Sequence, residues 1–409
     1  MPAMIWVVVA LAGVGLAISL PLSAVLRSVG TRLGAVDSSG APGHAKVLRP
    51  VSNLGGVAIF LAVAGPIAAG LVAVWTLDAG FWSRWLPSVE EHVDRIRDTT
   101  PTALALLAGM SVLHLMGLID DRRSLNPWLK LAVQTATAAV MVVWFDVRLL
   151  EAIDDYLPLG AWPSMVVTVL WIVIIINAIN FLDNMDGLAG GVSAIAAGLF
   201  LAACVVNGQW FIAATLALLI GGLVGFLVFN FPPARIFMGD GGSMVIGFLL
   251  AILTARTTYY DSEQVDYPLG GGWYGVFMPL VVLAIPLYDL ASVTLIRLGQ
   301  GRSPLVGDQQ HFSHRLVRRG LSARGAVVVI WVATAVTGIG GVALGRLEGW
   351  QAILVGVQTL LVLVMLALIE HASRPARTST QESPASRRAA DGERHGGPDD
   401  ETVSPEERG

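Results

Sequence analysis

The acids of this chain sit at the ends of its apolar segments, and that placement is where chemistry is expected. Asp120 and Asp121 close one apolar run. Asn177, Asn180, Asp183 and Asp186 lie where a second run ends and a third begins. Asp240 stands in Phe-Met-Gly-Asp-Gly-Gly-Ser, just ahead of another, and Asp289 lies within a run. An acid at the centre of a membrane helix costs about 2.5–3.5 kcal/mol on insertion scales, so such residues are functional candidates by default. A single Asp at a helix end is as readily an ordinary loop carboxylate. Several on one face repel one another, and a hard divalent cation relieves the repulsion. Oxygen donors suit Mg²⁺, with Mn²⁺ as the alternative. Mg²⁺ takes one or two protein carboxylates and completes its shell with water and phosphate. The remaining acids are then free to bind sugar or base, or to orient a nucleophile.

Two further patterns favour anions. Gly239, Gly241 and Gly242 surround Asp240 ahead of a helix expected from about Ser243, and Gly187, Gly190 and Gly191 precede another. Helix starts of this kind offer free amides and a positive dipole end to a phosphate, although membrane helices are glycine-rich in any case. The segment Asp308-Gln-Gln-His311-Phe-Ser-His314-Arg315-Leu-Val-Arg318-Arg319 combines two histidines with three arginines. Arginine grips phosphate bidentately. Loop charge alone would explain the arginines but not the histidines.

Long apolar elements must position these groups. The chain has 409 residues, of which 55% are hydrophobic and only 14% charged. Soluble proteins carry about 25% charged residues, so the bilayer is expected to be the solvent. A spanning helix needs about 20 apolar residues. Such runs occur near 4–26, 51–75, 102–119, 128–146, 163–182, 187–206, 210–229, 243–260, 273–297, 325–345 and 350–369. The expected fold is an all-α polytopic bundle of about 11 transmembrane helices. No basic region precedes the first run, while Arg27 and Arg32 follow it. It therefore reads as a retained helix rather than a signal peptide. With the N-terminus outside, the loops holding Asp120, Asp183, Asp240 and His311 are about twofold richer in Arg and Lys, which makes them cytoplasmic. The C-terminus is then cytoplasmic too. Residues 1–370 form one membrane domain, and 371–409, polar throughout, read as a disordered cytoplasmic tail. The single cysteine, Cys204, excludes a disulfide within the chain and reads as a small buried hydrophobe.

Five motifs in order resemble one family, the polyprenyl-phosphate N-acetylhexosamine-1-phosphate transferases, from about Asp37 to Leu321. They are Asp37…His44…Arg49-Pro50-Val-Ser-Asn53-Leu-Gly55-Gly56; Asp120-Asp121 with Leu125, Pro127, Lys130-Leu131 and Gln134; Asn177-Ala-Ile-Asn180-Phe-Leu-Asp183-Asn184-Met185-Asp186-Gly187; Asn230-Phe-Pro-Pro-Ala-Arg235-Ile-Phe237-Met-Gly239-Asp240; and the histidine segment. The resemblance implies a Mg²⁺-dependent enzyme (Mn²⁺ as alternative) of the plasma membrane. It would move N-acetylglucosamine-1-phosphate, or a related hexosamine-1-phosphate, from a UDP-sugar to a polyprenyl phosphate. UMP would be released, and cell-envelope polysaccharide synthesis begun.

By the same resemblance Asp240 is the main metal ligand, with Asn180 beside it. Asp183 and Asp186 look like uridine- or metal-proximal groups, and Phe237 like a residue stacking on uracil. Lys130 matches a lysine on the diphosphate. His311, His314, Arg315 and Arg318 match an anion clamp, His44 and Asn177 match substrate-binding positions, and Asp120 and Asp121 resemble acids proposed as base or nucleophile. The implied partners are the UDP-sugar, the lipid phosphate and the membrane, with no nucleic acid and a homodimer left open. Two departures stand out. Asn184-Met185 replaces the usual Gly-Leu between the aspartates, and Ser313 replaces the middle histidine of His-x-His-His-Arg. The flanking His311, His314 and Arg315 are expected to suffice. Three other readings stay open: a phospho-N-acetylmuramoyl-pentapeptide transferase, a transporter with an acidic site, and an inactive scaffold.

Overall fold

In a computed structural model of the chain, residues 2–34, 51–149, 154, 159–257, 273–303 and 310–372 are described. His44 and the rest of its motif up to Pro50 lie outside them, as does the expected tail from 373 onward. Among the described residues the secondary structure is helical, apart from one isolated parallel bridge between Ser52 and Ile236. The helices are α1 (Pro2–Arg32), α2 (Gly55–Thr76), the short α3 (Ala79–Trp85), α4 (Pro87–Glu90) and α5 (Val93–Asp98), α6 (Thr100–Asp120), α7 (Pro127–Phe145), α8 (Trp162–Leu182), α9 (Leu188–Val206), α10 (Trp210–Asn230), α11 (Asp240–Thr257), α12 (Met278–Val282), α13 (Ala284–Gly299), α14 (Phe312–Arg318), α15 (Ala323–Ala343) and α16 (Gly349–Ala372).

Each of the eleven apolar runs is helical where the structure describes it, but not each qualifies as a span by length and composition. Among the described residues nine helices are long and apolar enough to cross a membrane, or ten if the bent pair of α12 and α13 counts as one. That pair bends by 63°. Pro286 has no N–H to give the carbonyl of Val282, four residues earlier, and α12 ends there. The remaining run is α11. It carries Asp240 in its first turn and Arg256 in its last, which dilutes its apolar character.

α11 is the axis of the bundle. Its residues from Gly241 to Ala255 are all buried, and α2, α6, α8 and α9 pack around it. Between lipid-embedded helices there is little hydrophobic drive to associate, so close packing must come from small residues. α10 shows this against α1. A Cβ on Gly221 would run into the backbone of Ala12, and one on Gly225 would press on Leu20. Ser19 Oγ donates to Gly222 O at 2.6 Å across the same seam. α16 instead exposes Ile353, Leu354, Leu360, Leu361 and Leu368, the surface expected of a helix facing lipid.

The C-terminal ends of α6, α8 and α10 meet the N-terminal ends of α2, α7, α9 and α11 at one end of the bundle. All the candidate site residues that the structure describes gather there. The short helices α3 to α5 link α2 to α6 at the other end, around Trp82 and Val93.

Candidate active site

The site is built on the start of α11. Gly239 has φ of +71°, a conformation L side chains rarely adopt, and a Cβ there would strike the carboxylate of Asp121. The bare backbone lets Asp121 reach the helix start. Its Oδ1 accepts from Asp240 N at 2.9 Å, and its Oδ2 lies 3.4 Å from Gly241 N. The next two amides, of Gly242 and Ser243, donate to Gly239 O. This corrects the expectation that the glycine-flanked helix start waits for a substrate phosphate. The chain supplies its own anion, because four bare amides in a part-buried place need partners whether or not substrate is bound. The arrangement also acts on Asp121. Burial, the charge of Asp240 and, to a smaller degree, that of Asp120 push its carboxyl up to about 7, against the two amide hydrogen bonds that hold it down.

Strands of backbone clamp the same loop from the other side. Phe237 N donates to Ser52 O at 2.8 Å, while Gly55 N and Gly56 N donate to Phe237 O and Met238 O, both at 2.9 Å. The loop carrying Phe237 and Asp240 is thereby fastened to the start of α2. Gly117 of α6 gives α11 a close approach, since a Cβ there would collide with the backbone of Gly241. His114, one turn earlier, touches Gly241 O through Nδ1 at 2.8 Å and stacks on Phe60.

Lys130 joins the acids. Its Nζ lies 2.7 Å from Asp120 Oδ2 and 3.1 Å from Asp240 Oδ2. Asp120 Oδ1 accepts from Leu125 N at 2.6 Å, which ties the turn after α6 to the lysine-bearing start of α7. On its other side Asp240 Oδ1 accepts from Asn180 Nδ2 at 3.0 Å, and the same amide meets Ser243 Oγ at 2.9 Å. Deeper in α8, Asn177 Nδ2 donates to Gln134 Oε1 at 2.7 Å.

Asp120, Asp121 and Asp240 therefore converge, but Asp183 and Asp186 do not join them in one carboxylate cluster. Among the described residues no group of three or more His, Cys, Asp or Glu is placed to hold a metal. The single ammonium of Lys130 offsets part of the charge of Asp120 and Asp240 from within. A two-donor site still fits. Asp240 is part-exposed at 28%, and turning the Asn180 amide presents a carbonyl oxygen beside it. One carboxylate and one amide oxygen are hard donors of the number Mg²⁺ takes from proteins.

Asp183 caps the end of α8. Asp186 Oδ2 accepts from Ala234 N at 2.9 Å, and Gly187 N donates to Asn230 Oδ1 at 2.9 Å. The first bond secures the turn between α8 and α9 to the loop that leads to Asp240, and the second to the end of α10.

The histidine segment forms α14 and docks on this turn. Buried Asp289 accepts from Phe312 N at 2.8 Å and pairs with His311 Nδ1 at 2.9 Å, and the His311 ring stands edge-on to Phe181. His314 is half-buried and Arg318 exposed on the same helix. Arg315 is committed inward. Its Nε donates to Glu370 Oε2 at 2.8 Å, one terminal nitrogen to Ser292 Oγ at 2.9 Å, and the other to Gln310 O.

Sequence reasoning singled out Asp289 but passed over His114 and Glu370, which are also ionisable residues within apolar segments, a sufficient signal in itself. Their partners, however, lie on other helices and no spacing reveals them.

The comparisons with known proteins agree with one another. The family model described as glycosyl transferase family 4 matches residues 103–258, the stretch that carries Asp120, Lys130, Asn180 and Asp240. The chain is 28% identical over 341 residues to a probable undecaprenyl-phosphate N-acetylglucosaminyl 1-phosphate transferase of Bacillus subtilis, covering 82% of this chain and 84% of the relative. It is 31% identical over 344 residues to the decaprenyl-phosphate N-acetylglucosaminephosphotransferase of Mycobacterium tuberculosis, covering 77% of each. Against the undecaprenyl-phosphate alpha-N-acetylglucosaminyl 1-phosphate transferase of Escherichia coli the identity is 29% over 245 residues, 58% of this chain and 64% of the relative.

Proposed function

The chain belongs to glycosyl transferase family 4, and on that premise we propose that it transfers N-acetylglucosamine-1-phosphate from UDP-N-acetylglucosamine to a polyprenyl phosphate. The observation that carries this reading is the cationic bridge of Lys130 between Asp120 and Asp240, with Asn180 on the second oxygen of Asp240. An ammonium held beside an open carboxylate and an amide suits a diphosphate that arrives with a divalent ion.

In the proposed reaction an oxygen of the lipid phosphate attacks the β-phosphorus in line. A new P–O bond forms, the bond from that phosphorus to the bridging oxygen breaks, and UMP leaves with the bridging oxygen. A phosphate monoester has a second pKa of about 6, so it is mostly dianionic at neutral pH and needs no strong base. Asp120 therefore orients Lys130, and Asp121 holds the start of α11. Asp240 and Asn180 are the groups that would hold Mg²⁺. When bound, the ion neutralises charge on the diphosphate. Lys130 is placed to take a diphosphate oxygen. Asn177, Asp183, Asp186 and Phe237 form the nucleotide side, and His311, His314 and Arg318 the anion side. His44 is kept as a substrate-binding position from the motif alone. Arg315 positions α14 rather than gripping phosphate, since its three nitrogens are already engaged.

The site faces the cytoplasm of a plasma membrane in this reading, supported by the arginine and lysine asymmetry of the loops. Impermeant labelling of Arg318→Cys from the outer face alone would overturn that orientation. The activity itself is tested with purified protein, polyprenyl phosphate and Mg²⁺. UMP release is expected with UDP-N-acetylglucosamine and not with UDP-N-acetylmuramoyl-pentapeptide, and EDTA should stop it. Release only with the pentapeptide substrate would favour the muramoyl branch, and no release with either would contradict the reading.

A further inference from the structure

Asn184 and Ser313 are the two departures in the motifs, and they touch. They lie 129 positions apart, yet Ser313 Oγ donates to Asn184 Oδ1. Asn184 is itself held at the end of α8, where its Nδ2 donates to Phe181 O at 2.7 Å. Ser313 is 1% exposed, so its hydroxyl has no water to turn to.

The location gives the contact meaning. α14 has seven residues, too few to be a stable helix alone. Side chains fix it in place. Asp289 of α13 holds His311 and the amide of Phe312, while Glu370 of α16 holds Arg315. The Ser313 bond reaches a third element, the turn between Asp183 and Asp186. One hydrogen bond thus joins the segment bearing His311 and His314 to the turn bearing both acids.

We propose that Asn184 and Ser313 are a matched positioning pair that sets the histidine segment against the acidic turn and so governs how the UDP-sugar is engaged. The inference rests on the transferase reading. It carries a steric corollary. An imidazole at 313 would press on the Asn184 carboxamide at a buried position, and overpacking of that kind is damaging. Removing the carboxamide would make room. Each position therefore limits what the other tolerates.

A double-mutant cycle tests this. kcat and KM for UDP-N-acetylglucosamine are measured for Ser313→Ala, Asn184→Ala and the double variant, with melting temperatures of all proteins in detergent. Each single change is expected to lower kcat/KM by about tenfold while leaving the melting temperature near that of wild type, and the double variant to be no worse than either. Ser313→His alone should lose about a hundredfold, and adding Asn184→Gly should restore activity to within about tenfold of wild type. Additive losses in the alanine cycle overturn the pair, as does a Ser313→His enzyme as active as wild type. If Ser313→His fails to fold, the alanine cycle decides. The two readings fail separately. Additivity in an active enzyme overturns the pair alone, whereas a wild-type protein that releases no UMP overturns the transferase reading and, with it, the role given to the pair.

Discussion

Replacing Glu370 with Gln is the sharpest probe of how the histidine segment is held. Glu370, near the end of α16, is not itself a proposed substrate contact and acts on α14 through Arg315. Its carboxylate lies 2.8 Å from Arg315 Nε, with the two side chains 2% and 13% exposed. Tyr288 Oη adds a bond to the same carboxylate at 3.3 Å. Removing one partner of a buried ion pair leaves the other charge uncompensated, which costs about 3–5 kcal/mol. Glutamine keeps an acceptor oxygen, and Arg315 keeps Ser292 and Gln310, so the expected cost falls to or below the bottom of that range, about 2–3 kcal/mol. If docking of α14 is coupled to turnover, that is a loss of about 30- to 150-fold in rate. The assay is UMP release at saturating UDP-sugar for Glu370→Gln, Arg315→Ala, and Arg315→Ala combined with Glu370→Gln. Both single variants should be impaired, and the combined variant less so than their summed losses, because no lone charge remains. A fully active Glu370→Gln beside a dead Arg315→Ala would refute the argument and return Arg315 to the substrate.

Three further outcomes follow from the geometry. Lys130→Met should leave Asp120 and Asp240 facing each other without a counter-charge and lower kcat by about a hundred- to a thousandfold, the scale for losing an electrostatic transition-state contact, measured as UMP release at fixed Mg²⁺. Gly117→Ala should lower both activity and melting temperature, because its Cβ has no room against Gly241; an unchanged melting temperature would count against the packing described. Asp121 supplies a pH test. Its pKa is raised from 3.8 to about 7 on folding, so the folded state binds the extra proton and stability is lost as pH rises through that window, by up to about 4 kcal/mol. In EDTA, the melting temperature of Asp121→Asn relative to wild type should therefore climb between pH 4 and pH 7, within about that window, and level off above it; a flat difference would contradict the raised carboxyl.

Much of the scaffold is legible because length and apolarity decide it. The run at 163–182 became α8 at Trp162–Leu182, and the run at 350–369 became α16. α11 shows the limit of that logic. It is as helical as the others, but it is surrounded by protein instead of lipid, and hydropathy alone does not separate those surroundings. In the site, residue type pointed to Asp240 and the family resemblance to Lys130, while their pairing across 110 positions required the fold. Arg315 illustrates why the rest stayed hidden. An arginine in a basic loop looks free to grip phosphate, and nothing local indicates that Glu370, 55 residues later, returns to claim it. The start of α11 misleads in the same way, since the anion that fills it comes from α6.

The central claim is that the bond broken lies between the β-phosphorus and the oxygen bridging to UMP. The direct measurement is the product pair formed by purified protein from UDP-N-acetylglucosamine, polyprenyl phosphate and Mg²⁺, with lipid and nucleotide identified by mass in the same reaction. The account predicts polyprenyl diphosphate N-acetylglucosamine and UMP in equal amounts, with neither formed by Asp240→Asn. Formation of UDP with a polyprenyl monophosphate sugar would place the cleavage at the sugar carbon and contradict it.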